Sequence, residues 1–233
     1  MMMKNNRSIY GKSAFAGVQG IIFDCDGVLF DSREVNRRYY NELRFALDLP
    51  ALTEDELDYA HMHTVAQALT RIIPEDRMPE MYMVRKRLKY HAFIPYLTPA
   101  PGIYELLDTL RSRNIRCAVN TNRLDTMETI LTTFDLRQYF FPVITAAKVT
   151  FAKPHAEGVH AILAAWGVAK SGVRYIGDSA VDEVTACNAQ VDFWAYRNEE
   201  LLADVYVHDF WDLRRRFLES ALGSPRNPGR NGA

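Results

Sequence analysis

Cysteine is scarce in this chain of 233 residues: Cys25, Cys117 and Cys187 stand far apart and are odd in number. Three isolated thiols imply neither a disulfide framework nor a paired-cysteine metal site, and a reducing cytoplasm is the expected setting. No run of about eighteen apolar residues occurs, and the amino terminus is polar rather than signal-like, so membrane insertion is not expected. Excess basic charge is missing as well. A net charge of −1 argues against a general surface for nucleic-acid polymers. Gly11-Lys12-Ser13 has the end of a phosphate-binding loop, but the earlier glycine it requires falls at Asn6, with no strand before it.

What is present is apolar material in short, regular pieces. At 48% hydrophobic residues, the chain can build one large core, or a core with a small insert. Candidate strands fall at Ile21–Asp24, Arg116–Asn120, Pro142–Thr145, Arg174–Gly177 and Phe193–Tyr196, with a short sixth at Val205–Val207. Helix-like segments at Ile103–Arg113, Asp125–Thr133, Ala156–Trp166 and Val181–Gln190 lie between them. This alternation predicts an α/β fold, a Rossmann-like parallel sheet covered by helices on both faces.

One stretch breaks the alternation. From residue 33 to 96 the pattern is helical throughout: Val35, Tyr39, Leu43 and Leu47 share one helix face, and Thr53 with Glu56 offers a capping box. The expected division is therefore a tail at 1–19, a discontinuous core at 20–32 and 97–220, an inserted all-helical cap at 33–96, and a disordered tail at 221–233. The last of these is rich in helix breakers.

Chemistry concentrates at strand ends. Asp24-Cys25-Asp26-Gly27-Val28 follows the apolar run Ile21-Ile22-Phe23, and ionised carboxylates at a core edge call for a metal or a cationic partner. In an extended chain residues 24 and 26 lie on one side, so that one side chain could attack an electrophile while the other handles its proton. Cys25 then points away and reads as a small buried hydrophobe. Thr121 and Asn122 end a second strand, Lys153-Pro154 follows a third, and Gly177-Asp178-Ser179-Ala180-Val181-Asp182 ends a fourth.

In order and spacing these segments resemble the haloacid dehalogenase superfamily, and most closely its phosphoglycolate-phosphatase-like branch with a helical cap. The likeness runs from about Gly20 to about Leu218. It implies a phosphatase acting on a small phosphomonoester, with Mg²⁺ as cofactor. Asp24 would be the nucleophile that forms an aspartyl-phosphate. Asp26 would be the acid and base, its backbone carbonyl also holding the metal with Asp24 and Asp178. Thr121, Asn122 and Lys153 would bind the phosphoryl group, and Asp182 would stand behind the metal or beside the lysine. In the cap, His61, His63 and Arg85 are candidate substrate contacts whose roles the sequence leaves open. A sugar phosphomutase of the same fold is an alternative, although many of those carry histidine where this chain has Asn36. A non-catalytic binding module that retains the fold is another.

Overall fold

Ile21, Ile22 and Phe23 are fully buried, as a strand covered on both faces requires, and they form the centre of a six-stranded parallel sheet. A computed structural model describes residues 14–62 and 65–222. The chain runs through β1 (Gly20–Phe23) and a short β2 (Phe30–Asp31) into α1 (Arg33–Phe45), α2 (Glu54–Met62), α3 (Val65–Ile72) and α4 (Met78–Arg87). A 3-10 segment at Tyr90–Tyr96 and a short β3 (Thr98–Pro99) lead back to α5 (Ile103–Ser112) and β4 (Arg116–Thr121). Then come α6 (Met127–Thr133), β5 (Phe140–Thr145), α7 (Glu157–Trp166), β6 (Val173–Gly177) and α8 (Ala180–Ala189). The chain closes with β7 (Asp192–Tyr196), β8 (Val205–Val207) and α9 (Phe210–Leu222).

The sheet order is β5-β4-β1-β6-β7-β8, with every pairing parallel. Alternation along β1 sends Ile21 and Phe23 to one face, against α5, α6 and α9, and Ile22 to the other, against α7 and α8. Pro142 sits in β5, at the sheet edge, where a missing N–H is tolerated. The α/β reading from sequence therefore holds, and so does the helical insert. The insert leaves and returns through β2 and β3, which pair antiparallel as Phe30 with Pro99 and Asp31 with Thr98.

Three local expectations change. Residue 24 lies beyond the strand: its N–H still reaches the Ile176 carbonyl at 3.0 Å, but Leu29 and Phe30 both donate to the Cys25 carbonyl, so the chain turns there. The alternation argument that set Asp24 and Asp26 on one side of a strand loses its footing at that turn. Phe15, expected in the tail at 1–19, packs its ring on Trp194 and Phe217 at 5.1 Å each. Helix α9 continues through Leu222, two residues into the stretch expected to be disordered; residues 1–13 and 223–233 lie outside the described residues.

Within the insert, Val35, Tyr39, Leu43 and Leu47 are all buried, and their cluster is continuous with the α5 and α9 side of the sheet. Thr53 and Glu56 form the expected box, with Glu56 N–H on Thr53 Oγ1 at 3.2 Å and Thr53 N–H on Glu56 Oε2 at 2.9 Å. Among the described residues of the insert, Arg44 is the buried cation. It donates to the Pro50 carbonyl at 2.6 Å, the Ile72 carbonyl at 2.9 Å and Glu56 Oε1 at 3.0 Å, joining three segments. Replacing Arg44 with Met strands those acceptors. The expected cost is about 2 kcal/mol, seen as a thermal midpoint about 4–8 °C lower, whereas an unchanged midpoint would show the pin to be dispensable.

Candidate active site

Parallel sheets place polar groups beyond the carboxyl ends of their strands, where helices do not cover the edge. Asp24 follows β1, Thr121 ends β4, Asp178 follows β6, and the loop after β5 brings in Lys153. Lys153 Nζ lies 2.7 Å from Asp24 Oδ1 and 2.7 Å from Asp182 Oδ1. Its side chain is 5% exposed and that of Asp182 is fully buried, so the three charges form a desolvated triad.

Asp182 is held from every side. Its Oδ1 also accepts from the Tyr175 hydroxyl at 3.2 Å, and its Oδ2 accepts from Ser179 Oγ at 2.6 Å in a capping box that starts α8. The same carboxylate thus caps a helix and anchors the lysine. Burial works against the charge of Lys153, but Asp182 and Asp24 outweigh it and hold the ammonium well above the usual lysine value. Asp24 is pushed well above the usual aspartate value, first by burial, with Lys153 opposing and Asp182 and Asp178 adding repulsion. One lysine does not balance this many acids.

Asp178 carries the imbalance most plainly. Burial and then Asp182 raise it from 3.8 to about 7, against the pull of Lys153. Asp24, Asp178 and Asp182 each offer an oxygen within 4.8 Å of the others, a hard-donor set suited to a divalent cation. Since the oxygens of Asp182 already accept from Lys153, Tyr175 and Ser179, Asp24 and Asp178 are the carboxylates left for an ion. The backbone is cut to fit them: Gly27 is left-handed (φ 74°), and a Cβ there would overlap the Asp178 carboxylate. A Cβ at Gly177 would strike the Asp182 side chain in the same way.

The loop bearing Lys153 is tied down by Asn122, which accepts from Lys153 N–H at 3.0 Å and donates to the Lys153 carbonyl at 3.1 Å. Its amide side chain is occupied in holding the lysine loop. Glu157 accepts from Thr150 N–H at 2.8 Å and Phe151 N–H at 2.9 Å, bracing the same loop. Thr121 Oγ1 accepts from Arg123 N–H at 3.2 Å.

Arg123 is the residue that sequence reasoning missed. Its Nε reaches Asp26 Oδ2 at 2.8 Å and its Nη2 reaches Asp26 Oδ1 at 2.6 Å, a two-pronged ion pair. Burial pushes Asp26 up, but Arg123 outweighs burial and holds the carboxyl below the ordinary aspartate value. The signal in the sequence was a surplus: four aspartates gathered at strand ends, one assigned lysine, and an unassigned arginine directly after Thr121-Asn122.

Among the cap candidates, His61 Nδ1 lies 3.1 Å from Asn36 Nδ2, and the imidazole is near enough to bear on Asp26. Arg85 donates to the Tyr39 hydroxyl at 3.2 Å, and His63 lies outside the described residues. Cys25 is fully buried, and burial pushes its thiol well up, which fits a packing role.

An aspartate raised in the folded state stabilises the fold at low pH. Above the unfolded value of 3.8 the unfolded chain releases the proton while the folded chain keeps it, so stability falls until Asp178 ionises near 7. Added Mg²⁺ should therefore raise the thermal midpoint more at about pH 8 than at about pH 5, and Asp178→Asn should flatten that difference. Equal gains at both pH values in the unmutated protein would count against a cation at Asp178.

A family model described as haloacid dehalogenase-like hydrolase matches residues 21–196. A phosphoglycolate phosphatase of Caulobacter vibrioides is 35% identical over 135 residues, 54% of this chain and 57% of that protein. The pyrophosphatase PpaX of Oceanobacillus iheyensis is 23% identical over 84% of this chain and 95% of its own length. Among solved structures, a HAD-superfamily hydrolase of subfamily IA, variant 1, from Geobacter sulfurreducens superposes with a TM-score of 0.78 at 29% identity, covering 86% of this chain and 97% of that one. The match to the family model spans most of the sheet and the whole insert, and the chain belongs to the haloacid dehalogenase-like hydrolase family.

Proposed function

We propose that this chain is a Mg²⁺-dependent phosphatase of a small phosphomonoester, of the phosphoglycolate, sugar phosphate or nucleotide class, working through an aspartyl-phosphate on Asp24. The observation that carries the reading is the bridging of Asp24 and Asp182 by Lys153 at 2.7 Å each. A buried ammonium at that point restrains an anionic nucleophile and presents positive charge to an incoming dianion. The relative named phosphoglycolate phosphatase supports the substrate class. Unpaired Cys25, Cys117 and Cys187 accord with a reducing, cytoplasmic setting.

In the first step Asp24 attacks phosphorus, the ester oxygen leaves with a proton from Asp26, and Lys153 with the Thr121 hydroxyl binds the phosphoryl oxygens. In the second, water attacks phosphorus and gives its proton to Asp26, and the Asp24–phosphorus bond breaks. Asp24, Asp178 and the Asp26 carbonyl would hold Mg²⁺, which when bound offsets the repulsion between a carboxylate nucleophile and a phosphate. Asp182 acts through Lys153, and Asn122 through the loop that carries it. Residues 33–96 serve as a cap over the core at 20–32 and 97–220, selecting the substrate and limiting water.

Replacing Asp24 with Asn should reduce Mg²⁺-dependent phosphate release from an aryl phosphate by about a thousandfold or more. Survival of that activity would refute the assigned nucleophile. A panel of phosphorylated metabolites that includes phosphoglycolate identifies the substrate by kcat/KM.

A further inference from the structure

Among the described residues, Asp26 is the one acid of the site that has a cation to itself. Its side chain is 39% exposed, whereas that of Arg123, which it meets, is 10% exposed. Each Asp26 oxygen accepts one Arg123 N–H and keeps a further lone pair. Rotation of the carboxylate would break two charge-assisted bonds at once.

Arg123 is itself held. Its backbone carbonyl accepts from Ala146 N–H at 3.0 Å, its Nη1 donates to Thr126 Oγ1 at 3.2 Å, and its guanidinium carbon lies 5.2 Å from the centre of the Tyr90 ring. Tyr90 belongs to the 3-10 segment that ends the insert. Its ring meets Tyr39 of α1 at 5.4 Å, and Tyr39 accepts from Arg85 of α4. A continuous series of contacts thus runs from two helices of the insert, through Tyr90 and Arg123, to the free lone pairs of Asp26.

We infer that Arg123, steadied by the Tyr90 ring, is a positioning residue for the second half of the reaction, aiming the Asp26 carboxylate at the water that hydrolyses the phosphorylated Asp24. In that step a water oxygen bonds to phosphorus, the Asp24–phosphorus bond breaks with its electron pair returning to the carboxylate, and the water proton passes to Asp26. The inference rests on the proposed roles of Asp24 and Asp26 and adds a role for two residues that touch neither phosphorus nor metal. It also gives the insert a part in water activation in addition to substrate choice.

p-Nitrophenyl phosphate separates the two half-reactions, because its leaving group departs without a proton and the first half then does not need Asp26. With this substrate Arg123→Gln should show a burst of nitrophenol approaching one per active site. kcat and KM should fall together by about ten- to a hundredfold, with kcat/KM staying within about threefold of the unmutated enzyme. Tyr90→Leu should give the same signature more weakly, and Tyr90→Phe, which keeps the ring, should restore it toward the parent. A fall in kcat/KM equal to that in kcat, with no burst, would reduce Arg123 to a structural part and overturn the inference; so would an unchanged kcat. Asp24→Asn decides the underlying reading separately: if it kills turnover while Arg123→Gln gives no burst, the positioning role alone fails.

Discussion

Every other feature of the site depends on keeping several ionised carboxylates together at the edge of a dry core. Asp24 and Asp182 close on Lys153 with little exposure to water, and such a triad persists only if each charge finds its partner in good geometry. Placing the lysine there takes Asn122 and Glu157 on its loop. Placing Asp182 takes Ser179 and Tyr175. The surrounding bonds exist because a misplaced charge here would be stranded in a low-dielectric interior.

Crowding of this kind also gives the site its capacity. Among the described residues, Asp178 lies beside the triad without a cation of its own, pushed up to about 7, with Gly27 shaped to let it approach. A group in that condition is poised to take a divalent ion. Asp26, by contrast, is matched with Arg123, which outweighs burial and holds its carboxyl below the ordinary aspartate value. Two carboxylates two residues apart on the chain therefore sit in opposite electrostatic states: Asp24 strained by its neighbours, Asp26 relieved by its partner.

The insert is more tightly joined to the core than its separate helical pattern suggests. Its apolar cluster is continuous with the helices beneath the sheet, and Tyr90 reaches Arg123 directly. Its pattern is helical throughout 33–96, yet the chain breaks at Leu88, where the backbone turns extended before the 3-10 segment begins. That break carries Tyr90 over the core. A helical residue pattern does not report it, because the extended turn at Leu88 involves neither glycine nor proline.

Local patterning accounts for much of the protein. The buried runs at β1, β4 and β6, the one-faced helix through Val35, Tyr39 and Leu43, and the box at Thr53 and Glu56 are all written within a few residues of themselves. So is the gathering of Asp24, Thr121 and Asp178 at strand ends, because the carboxyl edge of a parallel sheet is a single place. Only the tertiary structure decided which cation serves which acid: Lys153 for Asp24 and Asp182, Arg123 for Asp26. Burial and backbone period are properties of a segment and leave a repeating mark on it, whereas an ion pair joins loops from distant strands and is set by how those loops converge.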